Sequence, residues 1–336
     1  MFSRKFAVAA FLFIAALLPA RGAGGVEIAQ SYHWTIAMNV SNITINYKLA
    51  EKFAELVKEK SGGKITFDIY FSGQLGNTGE LHQGVVAGSI DFGCGMTSDL
   101  VDFVPENGLF DLPNVFPDVR TMRKVMRGDF LGVMNKYNEK GGIHMLCYAD
   151  AGFRQLSSNK PVHVLSDLGG QKIRVMPNPN HVAYWKALGA NPIAMEFGEV
   201  FMALQQKTID GQENPYMNIV GNNMQEVQKY IIETNHVGHV ITFIMNNDLY
   251  SGLPDAVRAL VDECAAEAVD YAYSVADESI GGYKKTCVDA GCEIITLSPE
   301  TLAQFQEKAS VVYEMVRKKV GGELVDILLK EVEKAK

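Results

Sequence analysis

Cysteine is scarce in this chain, with five in 336 residues, at positions 94, 147, 264, 287 and 292. So odd and sparse a set argues against a disulfide scaffold, which a chain of this length does not need. The spacings match no zinc-ligand pattern either. Cys287 and Cys292 are near enough to pair around Asp289-Ala290-Gly291, or to remain reduced and partly buried. An excess of positive charge is also missing, since 31 Lys plus Arg stand against 39 Asp plus Glu for a net of −8. Nucleic-acid binding rests on clustered cations that neutralise phosphates, so nucleic acid is excluded as the main partner. No apolar run reaches the roughly 20 residues that span a bilayer.

What the chain does have is a globular composition, 47 % hydrophobic and 21 % charged, over a length that fits two domains. Its most apolar stretch comes first. Arg4 and Lys5 precede an uncharged run from Phe6 to Leu18, then Pro19 and the small residues Ala20, Gly22, Ala23, Gly24 and Gly25. This order reads as a secretory signal peptide over residues 1–24, cleaved near Gly22–Gly25. Losing Arg4, Lys5 and Arg21 would take the net charge from −8 to −11. No Cys follows the apolar run to carry a lipid, and the first is Cys94.

From Tyr32 onward, short β-like runs alternate with amphipathic helices. His33–Met38, Ile65–Phe71 and Ile90–Gly95 read as strands, with helices over Tyr47–Val57, stopped by Ser61-Gly62-Gly63, and over Leu81–Val86. A second set starts near Ile143. Ile143–Tyr148, Lys172–Met176 and His239–Asn246 are β-like, while His181–Leu188, Phe197–Gln205 and Pro254–Tyr273 are helical. Thr301–Val332 reads as a helical tail with a break at Gly321-Gly322. Strands alternating with helices predict βαβ units and a largely parallel sheet.

Catalytic signatures are weak. The chain has neither a phosphate loop ending in Gly-Lys-Ser/Thr nor a paired-His zinc helix. Gly93-Cys94-Gly95 lacks the third glycine of a dinucleotide loop. The Ser157 to Lys160 spacing suits a serine–lysine pair, but Pro161 biases Lys160 away from helix. His236 and His239 lie in a β-like context that suits a structural or pocket-lining pair better than metal ligands. No catalytic residue, metal or cofactor is assigned.

Lys172, Arg174 and Met176 share one face of their strand, and taken alone Arg174 and Arg154 would be solvated surface residues. Asp210-Gly211-Gln212-Glu213-Asn214-Pro215 reads, taken alone, as a polar turn between helices. Family likeness joins these places. The stretches Tyr47–Ala54, Gly73-Gln74-Leu75-Gly76, Gly88–Phe92, Phe110-Asp111-Leu112-Pro113, Arg154 with Ser158–Pro161, Lys172–Val175, Phe197–Val200 and Asp210–Pro215 follow one order along nearly the whole mature chain. In them the sequence resembles the extracytoplasmic solute-binding proteins of tripartite ATP-independent periplasmic (TRAP) transporters.

The resemblance implies an α/β, two-lobed periplasmic-binding-protein-like fold with a ligand cleft between lobes, hinge strands and a long bracing helix. The expected lobes are 30–151 plus 240–279, and 152–239 plus 280–336. By the same resemblance Arg174 grips a ligand carboxylate, Arg154 and Asn214 line the anion site, Phe197 forms a wall and Asn39 contacts ligand. Met96, Thr97, Met176 and His239 are added as lining residues. Asn178 and Tyr216 are further expected contributors, and Arg154 is the candidate second cation for a dicarboxylate. The implied protein is a periplasmic monomer that passes a small organic anion, carboxylate or sulfonate, to the membrane subunits of a TRAP transporter. A secreted hydrolase or lyase acting on an acidic substrate, and a ligand sensor for a membrane receptor, are the alternatives.

Overall fold

The computed structural model describes residues 28–336; the expected signal peptide lies outside the described residues. Among the described residues, eleven strands form two sheets. The first lobe holds β1 (Tyr32–Ala37), β2 (Ile65–Tyr70), β3 (Phe92–Met96), β4 (Ile143–Phe153) and β10 (Gly238–Asn246), ordered β2-β1-β3-β10-β4. The second holds β5 (Gln155–Ser158), β6 (Lys172–Val175), β7 (Asn191–Ala194), β8 (Gly211–Asn214), β9 (Tyr230–Glu233) and β11 (Glu293–Thr296), ordered β11-β9-β5-β8-β6-β7.

Neither sheet is as uniformly parallel as the alternation of elements predicts. In the first, β10 runs antiparallel between β3 and β4. In the second, β5 runs antiparallel to both β8 and β9. Each antiparallel strand arrives by crossing between lobes rather than through a helix, and so enters its sheet from the opposite end. The first crossing is β4 passing through Arg154 into β5, and the second is the segment from β9 to β10. The crossings hold each other: Arg154 N donates to Val237 O (3.0 Å), and the Gln155 amide pairs with Asn235.

Sequence patterning explains the cores. Helix Ile45–Lys60 buries Leu49, Ala50, Phe53 and Val57 at helical spacing, and its last turn carries Lys58 and Lys60, which suit a helix C-terminus. Phe53 meets Phe243 edge-on with ring centroids 4.8 Å apart, and Phe92 stacks on Phe243 at 5.8 Å. Each fully buried aromatic of this kind contributes roughly 1.5–3 kcal/mol.

The expected helix over Pro254–Tyr273 runs on to Asp289, 35 residues and about 52 Å at 1.5 Å per residue. It packs on helix Ile45–Lys60 and β4 in the first lobe, and on helix Tyr216–Gly221 and β11 in the second. The helical tail breaks twice, giving Pro299–Lys308, Ser310–Val320 and Gly322–Ala335. Its last helix packs on Val119–Arg127 in the first lobe. Cys287 and Cys292 are unbridged and buried, with burial pushing the Cys287 thiol up to about 12.

Candidate ligand-binding site

A cavity of about 260 Å³ lies between the two sheets, walled by residues of both lobes. From the first lobe come Asn39, just beyond β1, Asn46 in the first turn of helix Ile45–Lys60, and Gly95 and Met96 at the end of β3. From the second come Arg174 on β6, Met176 just after it, Glu196 and Phe197 after β7, and Asn214 at the end of β8. His239, in β10, closes the wall beside the second crossing.

Arg174 is 1 % exposed. Its Nε and Nη2 donate to the carbonyl of Met195 at 2.9 and 2.6 Å. That carbonyl takes one edge of the planar fork and leaves the Nη1–Nη2 end free. Nη1 is buried without a partner among the described residues. The guanidinium carbon lies 5.8 Å from the centre of the Phe197 ring. Burial lowers the Arg174 pKa to about 10, helped by the charge of Arg154, so the group stays cationic at neutral pH.

Arg154 is equally buried but spoken for. Its Nε and Nη2 donate to the Glu213 carboxylate, the second at 2.8 Å, and Nη1 donates to His239 Nδ1 at 2.9 Å. His236 adds a further contact to Glu213 at 3.0 Å. Burial works to raise the Glu213 carboxyl, but the charge of Arg154 and the hydrogen bonds of His181 and His236 hold it well below the ordinary range. Arg154 therefore stands behind the cavity wall, where it orients His239. An arginine can only donate, so His239 Nδ1 accepts and the ring proton sits on Nε2. Burial, together with Arg154, keeps this histidine neutral, and its Nε2 has no partner among the described residues.

Seven of the nine sequence-derived candidates thus meet at one cavity: Asn39, Met96, Arg174, Met176, Phe197, Asn214 and His239. Arg154 and Thr97 lie outside its lining, Thr97 being buried in the turn Thr97–Leu100. Asn178 and Tyr216 are also elsewhere. Asn178 caps helix Pro179–Ala187 and donates to Asp111, while Tyr216 donates to Glu233 at 3.0 Å. Sequence reading missed Asn46, Asp99, Glu196 and Asn218, all in the wall. A signal existed for Asn46, which sits on the same helical stripe as Leu49, Ala50 and Phe53.

A seam of polar groups joins the lobes beside the cavity. Asp111 of the first accepts from Asn178 Nδ2 (2.8 Å) and Asn180 Nδ2 (3.1 Å) of the second, and faces His181 at 3.4 Å.

Comparison with known proteins accords with this layout. Residues 36–319 match the DctP family model, described as bacterial extracellular solute-binding protein, family 7. The chain belongs to that family. The C4-dicarboxylate-binding periplasmic protein DctP of Rhodobacter capsulatus is 32 % identical over 285 residues, covering 83 % of this chain and 84 % of that protein. The sugar acid binding protein DctPAm of Advenella mimigardefordensis, solved with galactonate, superposes with a TM-score of 0.88 at 28 % identity, covering 91 % of this chain and 99 % of that one. A TRAP periplasmic solute-binding protein from Sulfurospirillum deleyianum, solved with succinate, gives 0.84 at 31 % identity, covering 91 % and 100 %. This DctP-family protein is a solute-binding protein and not an enzyme. It binds a small organic acid anion and delivers it to a TRAP permease, a role that accords with a periplasmic location.

Proposed function

We propose that the chain captures a carboxylate in the cavity between its lobes, with Arg174 as the residue that grips it. The observation that carries this reading is the free end of the Arg174 guanidinium, buried in the cavity wall with Nη1 unpartnered. A planar fork matches a carboxylate through two parallel hydrogen bonds, fixing orientation as well as charge. A sulfonate offers the same two oxygens. Phe197 and Met176 supply apolar walls, while Asn39, Asn214 and His239 supply polar ones. Arg154 and Thr97 act from behind the wall.

The lobes open and close about the two crossings, with 30–151 plus 240–279 moving against 152–239 plus 280–336. The final helix is the exception in that division, since it packs on the first lobe. A buried guanidinium without an anion disfavours the closed form when the site is empty. The ligand's preference for the closed form then drives closure. The working protein is a monomer that has lost its leader by cleavage near Gly22–Gly25.

A thermal-shift screen across monocarboxylates, dicarboxylates and sulfonates tests the reading. A ligand at a hundredfold excess over its Kd adds about 2.7 kcal/mol to stability. At least one carboxylate or sulfonate is expected to raise Tm by several degrees and to be recovered chemically unchanged. No shift with any organic anion contradicts anion capture, and turnover of the ligand favours the hydrolase or lyase alternative.

A further inference from the structure

Resting on the anion-capture reading, we infer that the cavity selects a monocarboxylate bearing several hydroxyl groups, and rejects both dicarboxylates and hydroxyl-free acids. The hydrogen-bonding capacity left over in the wall is unevenly divided between donors and acceptors.

Donors come first. Arg174 is the only cationic side chain among the described residues of the lining, because Arg154 is consumed by Glu213 and His239. The free donors buried there are Arg174 Nη1 and His239 Nε2. Together they suit one carboxylate.

Two buried amide oxygens of the wall, on Asn46 and Asn218, remain as acceptors. Asn46 donates its amide to Gly95 O at 3.1 Å, which fixes its Oδ1 as the unpartnered end. The orientation of Asn218 is fixed over a longer distance. Gln228 Nε2 donates to the backbone carbonyl of Val227 (3.2 Å), so its Oε1 must accept from Ser157 (3.0 Å). Ser157 Oγ in turn accepts from Gln212 Nε2 (2.7 Å), and Gln212 Oε1 accepts from Asn214 Nδ2 (2.6 Å). Asn214 Oδ1 then accepts from Asn218 Nδ2 at 3.3 Å. Every link runs one way. The chain begins on a backbone carbonyl, which cannot donate, and it ends with Asn218 Oδ1 buried and unpartnered in the cavity wall.

Two carboxylates, Asp99 and Glu196, line the same space. Asp99 already accepts from the backbone of Met96 at 3.0 Å, and burial raises its carboxyl. A second carboxylate on the ligand would meet two further carboxyl groups and the two amide oxygens with no second cation in the lining to offset them. A hydroxyl-free chain would leave both amide oxygens dehydrated and unpaired, which disfavours its binding. Ligand hydroxyls donate to those oxygens and resolve both problems. A site built to hydrogen-bond a hydroxyl strongly rejects the analogue lacking it.

Calorimetry on the purified mature protein decides the matter, with glycerate, gluconate, galactonate and glucuronate set against succinate, fumarate, butanoate and hexanoate. At least one hydroxylated monocarboxylate is expected to bind tenfold or more tightly than every dicarboxylate and every hydroxyl-free acid. Asn218→Leu is expected to shrink that ratio to within about threefold, through weaker binding of the hydroxylated acid and no loss of succinate affinity. If a dicarboxylate or a hydroxyl-free acid is the tightest ligand, this inference is overturned while anion capture stands. If no carboxylate binds at all, both are overturned. An unchanged ratio in Asn218→Leu also contradicts the inference, and the wild-type ratio decides alone if that variant does not fold.

Discussion

Glu213 lies wholly buried on β8, where it accepts from Arg154 and meets His236 at 3.0 Å and His181 at 3.7 Å. Arg154 and Arg174 are therefore the same residue type at the same depth with different roles, because only one has a carboxylate of its own. His181 links this cluster to the seam at Asp111. Burial works to lower the His181 pKa, but the hydrogen bonds to Asp111 and Glu213 raise it to about 9 from 6.5. A group raised in the folded state contributes stability that is complete below its unfolded pKa and is lost as pH rises through the folded value. The loss therefore falls between pH 6.5 and about 9 and is on the order of 3 kcal/mol. Glu213 and Asp111, both held low, act with the opposite sign, and their contribution is lost in acid. Thermal unfolding of wild type and His181→Gln between pH 6.5 and 8, below the range where the buried thiols titrate on unfolding, should show Tm falling more steeply in the first than in the second. Equal slopes would contradict the assignment.

At the scale of elements, β8 shows what patterning conceals. Gly211-Gln212-Glu213-Asn214 carries no apolar residue and reads as a polar turn, yet it is a fully buried strand between β5 and β6. Its polar side chains are paired within the protein: Glu213 with Arg154, and Gln212 with Ser157 and Asn214. Periodicity finds strands that bury apolar side chains, so β1, β2, β3 and β10 were legible to within a few residues. It does not find one stabilised by partners distant in sequence. For the same reason the resemblance located Arg154 while its commitment to Glu213 needed the three-dimensional arrangement. Residue 211 must be glycine here, since a Cβ would collide with the Ser157 carbonyl oxygen across the pair. Gly211→Ala should part β8 from β5, costing about 1–3 kcal/mol and displacing Asn214 from the cavity. Chemical denaturation checks the first effect and ligand affinity the second; a variant as stable as wild type would contradict the packing described.

Across the whole molecule, an acidic protein binds an anion. The mature chain would carry −11, yet exposed charges are screened over about 8 Å at physiological salt, so the surface total has little reach into a closed cleft. Inside, on the proposed reading, one guanidinium with a free end sets the sign of the ligand. Both lobes, two crossings and a 35-residue brace serve to bring that group and the opposing wall around a small molecule. The central claim is that Arg174 is the anion grip. Its most direct test is calorimetry of Arg174→Ala with the acid that binds the wild type most tightly. The predicted loss is about 3–5 kcal/mol, as for breaking a buried ion pair. A loss smaller than about tenfold, roughly 1.4 kcal/mol, would contradict the claim.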